Sequence, residues 1–208
     1  MILPMIADSV PWKEELSKIA GRLEKRAEQR RWSERARFLI ERDVMVGFYA
    51  VRKLFDTPGK ISQECQDYRL NVTAYPIRDK GPDFWDAYNF SKFYDFEARS
   101  ETSLSLREAC NQIIHSRVFA TVYQEGSEGL AGILVASDQK SKKKLFLITL
   151  EEIINALREV FEDEVLAFGW RRDGDGVRSY YSSRIANFTP PGQAGVSSLA
   201  ADNSRPVQ

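Results

Sequence analysis

The stretch LREACNQIIHSRVF, residues 106–119, holds the only histidine of a 208-residue chain. Three polar side chains there, Arg107, Asn111 and His115, recur at every fourth position of the run. Residues four apart on a helix are neighbours drifting by about 40° per step, so Arg107 and His115 lie within roughly 80° of each other and about 12 Å apart along the axis. A histidine takes or donates a proton near neutrality, and an arginine neutralises a phosphate or a developing phosphorane. These are the minimum groups for metal-independent cleavage of RNA, where the 2′-hydroxyl is the nucleophile. The axial separation is too long for both to act on one phosphate unless a second copy or a leaning Arg side chain closes it. The structural alternative is that Asn111 and His115 hydrogen-bond to backbone where the helix enters a strand near Arg117.

An Arg, an Asn and an "IIH" ending late in a helix, behind long N-terminal helices, resemble the HEPN family over residues 103–116. The resemblance implies a helical, often dimeric domain that cleaves RNA through an Arg and a following His. It would make Arg107 the phosphate ligand, His115 the acid or base, and Asn111 an orienting partner. Seven residues separate Arg107 from His115, a longer interval than the family's, and Glu108 follows the Arg. The segment also leads into strands that an all-helical domain lacks.

Other chemistry is excluded. One histidine and two isolated cysteines, Cys65 and Cys110, supply no zinc motif. Cys110 and His115 are five residues apart, roughly 140° around a helix, so they form no local nucleophile pair. The DGDG at 173–176 opens like a calcium loop, but Arg184 stands where the closing Glu belongs. There is no Gly-rich phosphate loop. No metal and no cofactor is expected.

The elements that must position these residues follow from periodicity. Residues 11–31 read as an amphipathic helix with Pro11 in its first turn, and Ser33 caps a second helix that ends at TPG, 57–59. Arg22, Arg26 and Arg30 stack on one face of the first, a candidate basic patch, with Lys140, Lys142, Lys143 and Lys144 of KSKKK as a second. A solvated helix face is the plainer account of the first patch. The second helix is apolar nearly all round except for Glu41, Arg42 and Asp43, a candidate buried charged cluster that must pair, surface or line a site.

Residues 68–77 alternate as a strand, and 84–96 hold seven aromatic rings in thirteen residues. Few basic residues interleave them, so Trp85, Tyr88 and Phe93 read as core or partner-docking aromatics rather than base-stacking ones. A helix over 103–116 precedes three strand-like runs, 117–124, 129–137 and 144–150, joined by short polar turns as a β-meander. Thr149 and Glu152 have the spacing of a capping box for a further helix over 149–164. VLAFGWRR and VRSYYSSR are expected to form a further hairpin, and the tail from about residue 187 has the composition of a disordered segment.

The expected fold is α+β, with N-terminal long helices packed with a small antiparallel β-meander and a further C-terminal helix. Residues 1–186 are expected as one domain, with 187–208 as the tail. Thirty basic residues balance thirty acidic ones, so any anionic partner must be met locally. Two cysteines and no convincing signal or membrane segment suggest a cytoplasmic protein. The leading functional expectation is a non-enzymatic interaction protein that docks a protein partner or forms a homodimer. The alternatives are a HEPN-like ribonuclease and an RNA or nucleic-acid binder using local basic patches.

Overall fold

The computed structural model describes residues 8–83, 85–124, 129–141, 143–172 and 178–188. The expected disordered tail, Lys142 and the DGDG turn thus lie almost wholly outside the described residues. Two long helices open the chain, α1 (Val10–Ala27) and α2 (Glu34–Phe55). Ser33 caps α2 by accepting a hydrogen bond from the Ala36 amide. A one-turn helix, α3 (Gln63–Gln66), leads into β1 (Arg69–Pro76). A 3₁₀ segment over Ala87–Phe93 precedes β2 (Ser100–Ser105), which runs straight into α4 (Leu106–Ile114). Strands β3 (Ser116–Tyr123), β4 (Leu130–Ser137) and β5 (Lys144–Thr149) follow, then α5 (Leu150–Phe161). A separate hairpin, β6 (Ala167–Arg172) and β7 (Arg178–Ser183), ends the described chain.

The meander β3–β4–β5 forms as its short connections require, and it is part of a larger antiparallel sheet in the order β2-β1-β5-β4-β3. The fold is α+β. Strand alternation divides the sheet into two faces. Leu70, Val72 and Ala74 of β1 join Ile133, Val135, Phe146 and Ile148 in one core with α1, α2, α4 and α5. The opposite face carries Tyr75, Val118, Ala136 and Leu145, roofed by Phe93 and Tyr94. Tyr94 closes this second cluster by donating its hydroxyl to the Ser141 carbonyl at 2.6 Å.

Two expected boundaries shift for physical reasons. The helix expected from 103 starts at Leu106, because Ser105 ends β2 and caps α4. Its hydroxyl accepts the Glu108 amide while Glu108 accepts the Ser105 amide, a complete capping box. At α5 only half of the expected box forms. Thr149 accepts the Glu152 amide, but the Glu152 carboxylate turns to the Asn71 amide of β1 at 2.9 Å.

Candidate functional site

The stripe on α4 divides between two surroundings. Arg107 reaches the end of α2, where its guanidinium lies 3.2 Å from Asp56 and over the Phe55 ring at 4.6 Å. Arg52, one turn back on α2, also bonds Asp56 and donates to Asn111 Oδ1 at 2.7 Å. Burial alone would raise the Asp56 carboxyl, but Arg52 and Arg107 together hold it below its ordinary value of 3.8. Asn111 thus bridges the α2–α4 contact, while Arg107 belongs to an ion network.

His115 lies on the other side, exposed at the C-terminal cap of α4. Its backbone carbonyl accepts the Asp138 amide, which joins the helix end to the turn after β4. Between them opens a groove of about 500 Å³ lined by Glu108, Asn111, Gln112, His115 and residues 137–140. Arg107 does not line it. The structure brings Asn111, His115 and Lys140 of the second basic patch to one groove, and leaves out the arginine that phosphodiester cleavage would use.

The trio on α2 also separates. Asp43 is buried, whereas Glu41 and Arg42 are exposed, because consecutive helical residues point 100° apart. The Arg42 side chain folds back to Asp43 Oδ1 at 2.7 Å, and Arg22 of α1 places Nε and Nη2 on the same carboxylate, each at 3.2 Å. Arg22 is therefore an α1–α2 tie as well as a surface cation. Arg26 is half-buried, with its Nε unpartnered among the described residues, and Arg30 is exposed. Lys140, Lys143 and Lys144 are exposed.

The aromatic segment is largely an inner cover. Phe93 is buried in the second cluster, which removes it as a docking residue, and the Tyr88 side chain lies outside what the structure describes. Trp85 alone stands out, 84% exposed.

Two assemblies were not singled out by sequence. Asp163, buried just after α5, accepts the Ser62 amide at 2.8 Å, the Ser62 hydroxyl at 2.5 Å and Arg184 Nε at 2.5 Å, with Lys13 Nζ 3.9 Å away. Burial lowers the Lys13 ammonium from its ordinary value and pushes the Cys65 thiol up to about 12. Its members come from four distant segments, so no local pattern announces it.

The second is the face of the β6–β7 hairpin. Trp170 lies directly opposite Tyr180, and Phe168 two residues away is on the same face. Their exposures are 54%, 52% and 51%. Phe168 and Tyr180 stack with planes 7° apart, and Leu166 and Ile185 are exposed at the hairpin's base. Phe168 leans on Gly59, whose φ of +73° lets the chain turn beneath the ring. Period-2 placement of Phe168 and Trp170 is the sequence signal for this face.

Comparison with known protein families, with characterised proteins and with solved structures returns no match for this chain. Among the described residues no helix is long and apolar enough to cross a membrane, and no group of three or more His, Cys, Asp or Glu is placed to hold a metal ion.

Proposed function

We propose that this protein is a non-enzymatic interaction protein that docks through the exposed part of the aromatic face of the β6–β7 hairpin, and that the occupant this face suits best is a second copy of the chain. The supporting observation is the cross-strand cluster Phe168, Trp170 and Tyr180, three half-exposed rings on one face of a two-stranded sheet. Trp and Tyr dominate interface energetics because one ring buries much area for few frozen torsions. Exposed single apolar residues are ordinary, but contiguous rings from both strands form a patch. A formal net charge of zero leaves no overall repulsion between copies. Backbone groups on the hairpin's outer edges can extend the pairing in a two-fold arrangement.

The test is the mass of the native chain in solution over a concentration series, beside Trp170→Ala/Tyr180→Ala. A dimer that dissociates on dilution and becomes monomeric in the double variant supports the reading. A monomer at every concentration, or a dimer indifferent to the two substitutions, overturns self-docking through this face. High salt should leave the dimer in place, because ring burial is not screened.

A further inference from the structure

The groove beside His115 contains a buried amide with half of its hydrogen-bonding capacity unused. Gln112 is only 4% exposed. Its Oε1 accepts the Ser137 amide at 3.0 Å, which fixes the side chain against β4. Its Nε2 has no hydrogen-bond partner among the described residues, although the residue lines the groove. The Nε2 group is reached by solvent through the groove, so water serves it in the free protein and an accepting ligand oxygen takes that place.

The neighbouring groups add to the donor set. Asn111, which also lines the groove, accepts from Arg52 at Oδ1, and its NH2 group makes no hydrogen bond among the described residues. His115 presents an exposed ring, and Lys140 presents an ammonium from the facing turn. On the acceptor side, Glu108 uses Oε2 for both the amide and the hydroxyl of Ser105, leaving Oε1 unengaged. Asp138 is paired to Arg117. The carbonyl end of α4 and the Glu108 carboxylate oppose an anion, and Lys140 supplies the full positive charge among the lining side chains that offsets them.

Donors on two walls suit an oxyanion with acceptor oxygens pointing in several directions, and the spare Glu108 oxygen suits a hydroxyl. A cavity near 500 Å³ exceeds what a lone ion fills and matches a small metabolite. We propose that this groove binds a small phosphate monoester on a hydroxylated carrier, a sugar phosphate in chemical class. The phosphate sits among Gln112 Nε2, Asn111 Nδ2, His115 and Lys140, and a carrier hydroxyl donates to Glu108. This site is independent of the hairpin.

The experiment follows the side-chain amide signals of Gln112 and Asn111 in the full-length ¹⁵N-labelled chain during titration with ribose 5-phosphate, inorganic phosphate and citrate. Lys140→Ala and His115→Ala are run alongside, both at exposed positions, with circular dichroism to verify the fold. Saturable shifts with ribose 5-phosphate, tighter than with inorganic phosphate and weakened roughly tenfold or more by Lys140→Ala, are expected. Absence of saturable shifts, binding unchanged by Lys140→Ala, or citrate binding as tightly as ribose 5-phosphate overturns the phosphate site. Equal affinity for inorganic phosphate and ribose 5-phosphate overturns the role of Glu108.

Discussion

Asp163 and Asp43 are both buried carboxylates held by arginines, yet their surroundings differ in how much water reaches the cations. Lys13 beside Asp163 is largely covered, whereas both arginines on Asp43 are about two-fifths exposed. Asp163→Ala should therefore cost about 3 kcal/mol, since it strands the buried Ser62 amide and leaves the covered Lys13 ammonium with the backbone carbonyl of residue 163 but no counter-charge there. Asp43→Ala should cost about 1–2 kcal/mol, because water solvates the released guanidinium groups. Urea unfolding at neutral pH measures both, and equal losses would refute the distinction. The thiols give a second prediction. Burial pushes Cys65 and Cys110 each up to about 12, so neither should react with a disulfide reagent at pH 8 in the native protein. Both should react after unfolding in guanidinium, and rapid native labelling would contradict their burial. The same shifts act on stability. Above pH 9.0 the unfolded chain ionises its thiols while the folded chain does not, so that stability is lost as pH rises toward 12. On the acid side, Ser183 holds Glu64, and Ser105 holds Glu108, below the ordinary value of 4.5. Their contribution is complete above that value and is lost as pH falls through the lower folded values. A pH series of urea midpoints reads both flanks.

At the scale of elements, the helices were legible because their apolar spacing repeats locally, as Leu16, Ile19, Ala20 and Leu23 on α1 show. The edge strand β2 was not. SETSLS is polar and exposed along most of its length, so pairing with β1, rather than burial, makes it a strand. Glu152 shows the same limit, since its spacing to Thr149 fits a local cap while a distant amide at Asn71 competes for it. The stripe Arg107–Asn111–His115 was legible as spacing, but not as two separate sites, because the partners Asp56, Arg52 and Lys140 arrive from other segments. Glycine positions give an element-level test. A Cβ on Gly59 would lie 2.7 Å from the Phe168 ring at a positive φ. Gly59→Ala should cost about 1–3 kcal/mol and loosen the hairpin, seen as lower thermal stability and faster amide exchange in β6 and β7. Unchanged exchange in those strands would show that Phe168 does not anchor them.

For the molecule as a whole, the aromatic hairpin face and the groove beside α4 lie on different elements, so the two proposed contact surfaces are separable. Substitutions at Trp170 and Tyr180 should leave ribose 5-phosphate titrations of the groove unchanged. Lys140→Ala should leave the proposed self-association unchanged. Coupling between the two readouts would show that the surfaces communicate. The strand order has a separate consequence, for how the chain reaches this state. Strands β1 with β2, and β3 with β4, form two independent ribbons, and β5 alone joins them. During synthesis both ribbons leave the ribosome with exposed inner edges, and nothing can seal them until residues 144–149 emerge. The last strand made for that sheet is its middle one, so a chain interrupted before Lys144 carries two sticky edges and no sheet, a species that chaperones or proteases must handle.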